Sequence, residues 1–140
     1  MTPKPNYRPE KMSLGPLERE ILNIIWDLGC ATVKQVHEQI LADPDRELSS
    51  PSVTTVLNRL RRKGWLSCDR SGRAYMWKPR LSRTQAQAII AYEHLNQFLA
   101  LGNPDIVAAF ASDLDSASLD QLDAIAQRLK ALREARNEEK

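Results

Sequence analysis

The chain moves between two hydrophobic periods, and the places where it switches mark its elements. Residues 14–28, "LGPLEREILNIIWDL", carry Leu17, Ile21, Leu22, Ile24, Ile25 and Leu28 largely three or four apart, which predicts a helix with one apolar face. Pro16 suits its first turn, Glu18 and Glu20 favour its positive end, and Gly29 stops it. In "ATVKQVHEQILAD", Val33, Val36, Ile40 and Leu41 lie behind a Thr32 cap and predict a second, shorter helix. After the turn-forming "DPDRELS", residues 49–63 predict a third. Ser49 or Ser50 can cap it, Pro51 enters its first turn, Val53, Val56, Leu57 and Leu60 make one face, and Gly64 ends it.

Past Gly64 the period falls to two. "WLSCDR" and "AYMWKP" alternate as strands, and Ser71-Gly72 between them predicts a tight turn and hence a hairpin. Helical spacing returns from Ser82, where Ala86, Ile89, Ile90, Leu95, Phe98 and Leu99 line a helix that stops at Gly102-Asn103-Pro104. A short apolar segment, "DIVAAFASDL", precedes a last helix from Ser118 bearing Leu119, Leu122, Ile125, Ala126, Leu129 and Leu132. The expected architecture is mainly α with a small antiparallel β-hairpin: a winged helix-turn-helix followed by a C-terminal helical dimerisation region. Its expected parts are a flexible arm over 1–13, the winged helix over 14–81 and the dimerisation helices over 82–136.

Charge divides the same chain. Residues 1–83 hold 15 Lys and Arg against 9 Asp and Glu, whereas residues 84–140 hold 5 against 9, so a net charge of +2 conceals a basic first half. Between Arg59 and Arg83 stand nine cations and one acid, Asp69. Such a block around a helix and hairpin points to a polyanion. On the third helix Ser52, Thr54, Thr55, Asn58 and Arg59 fall opposite the apolar face and are the expected DNA base contacts. Asn and Arg suit adenine and guanine edges, and Thr offers a hydroxyl and a methyl. Arg61, Arg62 and Lys63 at the helix end, with Arg70 and Arg73 at the hairpin tip, are the expected phosphate and wing contacts, which add affinity rather than specificity. The leucine-striped tail needs a partner. A second copy of the chain is expected to cover it through Ile89, Leu95, Phe98, Leu99, Phe110, Leu122, Ile125 and Leu129.

At 140 residues the chain is about one domain, or a small one with an oligomerising appendage. No apolar run approaches the roughly 18–20 residues of a membrane span, and the basic start "MTPKPNYRPEKMS" lacks the apolar stretch of a secretory signal. No membrane insertion and a cytoplasmic location are therefore expected. Cys30 and Cys68 belong to no CxxC pair and are expected as reduced thiols. With His37 and His94 they match no metal-ligand spacing, so neither metal nor cofactor is expected. No Ser-His-Asp or Cys-His spacing, phosphate-cradling glycine loop or paired carboxylates in an apolar setting marks an enzyme. The competing class is a winged-helix adaptor that meets an acidic protein without specific DNA binding. It requires apolar side chains on the exposed face of the third helix, where the chain has Ser, Thr, Asn and Arg.

The segments "LGPLEREILNIIWDLGCATVKQVHEQI" and "SVTTVLNRLRRKGWLSCDRSGRAYMWKPRLSR" resemble the BlaI/MecI/CopY family of penicillinase-type repressors, and the resemblance runs from Leu14 to about Leu132. It implies a homodimeric repressor on a palindromic double-stranded DNA operator, with a wing after the recognition helix and intertwined C-terminal helices. For members that respond to β-lactams it also implies a membrane-bound sensor or metalloprotease that cuts before a Phe in the dimerisation region. The bond at that position here is Ala109-Phe110, and Ala109 stands where the best-known cleaved members carry Asn. The paired cysteines of the copper-responsive branch are absent from the ending "LREARNEEK".

Overall fold

A computed structural model describes residues 7–138. Its elements run α1 (Pro16–Leu28), α2 (Val33–Leu41), α3 (Ser50–Lys63), β1 (Leu66–Asp69), β2 (Met76–Pro79), α4 (Arg83–Leu101), α5 (Pro104–Ser112) and α6 (Ser116–Glu138). Each of the first three helices begins on a satisfied backbone. The Gly15 N–H donates to Glu18 Oε1 at 3.0 Å, and Thr32 and Gln35 cap each other at 2.9 and 3.2 Å. Ser49 Oγ accepts the Ser52 N–H at 3.2 Å, so Ser49 rather than Ser50 is the cap of α3.

Helix α3 is a poor helix by composition, because Ser50, Ser52, Val53, Thr54, Thr55 and Val56 each cost roughly 0.5 kcal/mol relative to Ala. Val53, Val56, Leu57 and Leu60 are buried. At about 2 kcal/mol apiece their burial outweighs that deficit, so packing holds the helix and leaves its other face free to be polar. They meet Ile21, Leu22 and Ile25 of α1, Val36 and Ile40 of α2, and Trp65, Leu66, Trp77 and Leu81 around the hairpin in one core.

That core also takes Ala86 and Ile89 of α4, both fully buried. The start of α4 is tied to α1, where Trp26 Nε1 donates to the Leu81 carbonyl at 2.9 Å and Arg83 donates to Asp27 at 2.6 Å. Ile89, expected at a dimer contact, is therefore a core residue of the first unit. The division falls accordingly later than the expected residue 82, with the first unit ending at His94 and the second beginning at Leu95.

The expected flexible arm differs as well. Its residues 1–6 lie outside the described residues, but residues 7–13 form a strap across the end of α3. Tyr7 donates its hydroxyl to the Gly64 carbonyl at 2.7 Å, Lys11 N–H donates to the Lys63 carbonyl at 3.2 Å, and Trp65 Nε1 donates to the Lys11 carbonyl at 3.0 Å. Pro9 is buried, and Tyr7 and Met12 pack on the core. Aromatic and proline side chains in a polar stretch were the available signal; the bonds themselves depend on where Gly64 and Trp65 stand.

The hairpin pairs Leu66 with Pro79 through Asp69 with Met76. Its tip is longer than the expected two-residue turn, because Asp69 Oδ1 accepts the Ser71 N–H at 3.0 Å and the Ser71 hydroxyl at 2.6 Å, which bends the chain before Ser71-Gly72 can pair. On its other side Trp77 exchanges two backbone bonds with Ala31, at 2.8 and 3.0 Å, so β2 is anchored to the start of the α2 region.

In the second unit Asn103 Oδ1 accepts the Asp105 N–H at 2.8 Å to cap α5, and Asp115 Oδ1 does the same for Ser118 at 2.8 Å in α6. Phe98 and Phe110 pack with ring centroids 5.2 Å apart. Neither α5 nor α6 has a buried residue. Among the described residues no helix is long and apolar enough to cross a membrane.

Gly64 carries the strap contact. Its φ is +95°, and an added Cβ would lie 2.8 Å from the Tyr7 hydroxyl, 3.1 Å from Glu10 N and 3.1 Å from Pro9 Cα. Gly64→Ala is expected to lower the unfolding free energy by about 2 kcal/mol in urea titrations. Gly72→Ala, with nothing nearer than 3.7 Å, is expected to change it by less than about 0.5 kcal/mol. Equal effects of the two would remove Gly64 as the constraint.

Candidate nucleic-acid interface

The buried stripe of α3 sets what its other face presents. Thr55 and Arg59 are exposed, and Ser52, Thr54 and Asn58 are half-buried. Ser52 shares a 2.7 Å hydroxyl bond with Ser49 and so belongs partly to the cap. Thr54 and Thr55 donate their hydroxyls back to the Ser50 and Pro51 carbonyls, at 3.3 and 3.0 Å, which fixes the rotor and leaves the oxygen as an acceptor with its methyl alongside. Asn58 has no side-chain hydrogen bond and Arg59 no ion pair among the described residues, so both retain their donors for a ligand.

The cations expected at phosphate divide into two kinds. Arg61 and Arg62 are exposed and have no ion pair among the described residues. Lys63 is not: its ammonium lies 2.8 Å from Glu18 Oε2, 3.0 Å from Oε1 and 2.8 Å from the Ser13 carbonyl, with 16% of the side chain exposed. Burial alone raises the Glu18 carboxyl, but the Lys63 hydrogen bond, the Gly15 N–H and the charges of Lys63 and Arg59 outweigh it and hold Glu18 below its ordinary 4.5. Lys63 therefore works as a clamp between α3, the start of α1 and the strap, which differs from the free cation expected of it.

On the wing, Arg70 lies over the Tyr75 ring at 5.2 Å and Arg73 is exposed. Asp69, the nearby acid, is engaged elsewhere: the Ser71 hydroxyl and N–H, then Lys78 at 3.7 Å, hold its carboxyl below the usual range. Arg70 and Arg73 thus keep uncompensated charge. Two clefts flank the helix. One, of about 730 Å³, is lined by Thr32, Val33 and Lys34 at the start of α2, Thr54 of α3 and Arg73, Ala74 and Tyr75 of the wing. The other, of about 340 Å³, is lined by Lys11, Arg59, Arg62 and Lys63. Sequence reasoning did not select Lys11 or Lys34. Lys34 was legible as a cation in the first turn of the helix before α3, where a helix-turn-helix crosses the backbone; Lys11 was legible only as one of two lysines in an arm that could lie along phosphate but read first as a solvated tail, and the strap is what brings it to the cleft.

The remaining expected residues lie in the second unit. Leu95, Leu99, Phe110, Leu122, Ile125 and Leu129 are exposed, Leu99 at 61% and Leu129 at 56%, and Phe98 is half-buried. Ala109 and Phe110 lie within α5.

Three helices, the third turning a polar face outward, and a hairpin directly after it define a winged helix-turn-helix, a DNA-binding fold class. The chain belongs to the penicillinase repressor family, whose model matches residues 14–131. It is accordingly a DNA-binding transcriptional repressor and not an enzyme. The transcriptional regulator BlaI of Mycobacterium tuberculosis is 32% identical over 120 residues, covering 85% of this chain and 84% of that protein. Two solved structures are similar over about half of the chain. The DNA-binding domain of the repressor BlaI is 22% identical over 54% of this chain and 92% of its own, with a TM-score of 0.47. The Bacillus licheniformis BlaI monomeric form, in complex with a half-operator, is 23% identical over 52% of this chain and 87% of its own, with a TM-score of 0.44.

The clamp has a measurable signature. A carboxyl held low in the folded state stabilises the fold above pH 4.5, and that stabilisation is lost as pH falls from there through the native value. Lys63→Met, which strands a buried carboxylate, is expected to cost about 3 kcal/mol at neutral pH. It is also expected to reverse the acid limb, since protonation then relieves the unpaired group; denaturant titrations across pH 3 to 7 read both effects.

Proposed function

We propose that this repressor acts as a homodimer on an inverted-repeat operator, each copy laying α3 in a major groove and its wing on the flanking backbone. The observation that carries the reading is α3 itself: one face buried, the other offering Asn58 and Arg59 without a side-chain partner among the described residues, and Thr54 and Thr55 with a methyl and an acceptor oxygen each. Asn58 and Arg59 are the base readers, with the methyls and hydroxyl oxygens of Thr54 and Thr55 beside them and Ser52 at the rim. Arg61, Arg62, Arg70 and Arg73 hold phosphates, and Lys63 orients α3 rather than touching DNA. The absence of large apolar groups on this face argues against an adaptor that docks protein there.

Dimerisation is supported by the second unit, where α5 and α6 have no buried residue and Leu95, Leu99, Phe110, Leu122, Ile125 and Leu129 stand exposed. A second copy is the partner that covers such a face symmetrically. It would set two recognition helices about 34 Å apart, one duplex turn, and so read inverted half-sites. Proteolytic relief at Ala109-Phe110 would require the helical backbone of α5 to open before a protease could take it as an extended substrate.

Selection from genomic fragments followed by salt titration tests the DNA reading; a log-log slope near zero, or no enriched site, would end it. Arg59→Ala is expected to lower discrimination between the selected site and random duplex by 10-fold or more, a loss of about 1 to 3 kcal/mol, while Arg62→Ala weakens both alike. In sedimentation, Leu129→Asp is expected to shift the chain from dimer to monomer and to weaken binding to the full inverted site more than to a half-site. A chain that sediments as a monomer before substitution would overturn the dimer.

A further inference from the structure

The strap does more than close the core. It supplies two of the partners for the carbonyls at the end of α3, since the Lys11 N–H takes the Lys63 carbonyl and the Tyr7 hydroxyl takes that of Gly64. Residue 11 is thereby pinned on both sides, its N–H on Lys63 and its carbonyl on Trp65 Nε1. Its main chain is structural and its side chain is exposed, lining the 340 Å³ cleft with Arg59, Arg62 and Lys63. Glu18 neutralises Lys63. Lys11 and Arg62 have no acidic partner among the described residues, and Arg59 has no ion pair. Unpaired like charges around one cleft repel each other, and an anion seated among them relieves that repulsion.

We propose that the strap completes a phosphate-binding cleft beside the recognition helix and that Lys11 is a DNA-backbone contact, its ammonium taking a phosphodiester oxygen together with Arg62. The contact rests on the DNA reading above. It adds to the helix-turn-helix and wing a third basic element, one ordered in the free chain, so no loop has to be fixed on binding. Because Arg59 lines the same cleft, a phosphate seated there also sets the depth and register at which Arg59 approaches the base edges.

The test uses the full chain and a fluorescein-labelled random-sequence duplex, with affinity followed against salt for the unsubstituted protein, Lys11→Ala, Lys11→Arg and Arg62→Ala. Lys11→Ala is expected to reduce the log-log salt slope by about one and to weaken binding several-fold, while Lys11→Arg retains the slope. Its melting temperature is expected to stay unchanged, because the strap bonds of residue 11 are main-chain bonds. If Lys11→Ala keeps the full slope while Arg62→Ala loses about one unit, the strap is not a contact and the DNA reading stands. If neither Lys11→Ala nor Arg62→Ala changes a steep slope, the cleft is not a contact and the DNA reading stands; if the duplex is not bound, or the slope of the unsubstituted chain is near zero, the DNA reading fails and this contact with it. Inorganic phosphate at constant ionic strength separates the two sources of anion: phosphate displacing the duplex from the unsubstituted chain but not from Lys11→Ala is expected of a shared backbone site, whereas saturable phosphate binding that is lost in Lys11→Ala while the duplex stays bound would overturn the backbone contact in favour of a free-anion site.

Discussion

The left-handed turn at Gly64 is the constraint on which the proposed DNA-facing surface depends. There α3 stops, the chain reverses into Trp65 and the hairpin, and the strap crosses within 3.1 Å of where any side chain would begin. A helix ending elsewhere would carry Trp65 out of the core and the wing away from α3. One residue without a Cβ thus lets three elements meet: the strap, α3 and the hairpin. The Glu18–Lys63 pair fastens the same junction from the other side, linking the last turn of α3 to the first of α1.

Charge follows from that junction. A run of three cations at a helix end complements the negative end of the helix and is alike residue by residue in composition. In the fold it is not uniform, because Lys63 reaches Glu18 and the Ser13 carbonyl while Arg61 and Arg62 reach solvent. Asp69 is likewise withdrawn from Arg70 and Arg73 by Ser71 and Lys78. Two acids near the basic surface, Glu18 and Asp69, are spent on structure, which leaves more of the positive field there uncancelled.

The two units divide the work. The first closes its own core, drawing in Ala86 and Ile89 from the long helix, whereas α5 and α6 leave their apolar positions exposed in a single chain. A face of that kind is stable in water only when covered, and that requirement gives the proposed dimer its physical basis.

Periodicity determined the order of elements and the apolar stripe of α3, and the distribution of charge the class of partner, because each depends on local spacing or on counts along the chain. The polar face from Ser52 to Arg59 was legible for the same reason. What the sequence could not decide was which neighbours distant residues meet. Ile89 belongs to an apolar series that reads as continuous with Leu95 and Leu99, yet the core reaches only as far as Ile89 and its neighbour Ile90. Ser71-Gly72 has the composition of a two-residue turn, but Asp69 captures Ser71 first. Lys63, expected as a free cation, is drawn into a largely buried pair 45 residues away, and Lys11, expected in a flexible arm, is carried by the strap to the mouth of a basic cleft. Local patterns set which face of an element is buried; only the tertiary structure decides which charges that burial neutralises and which it leaves for a ligand.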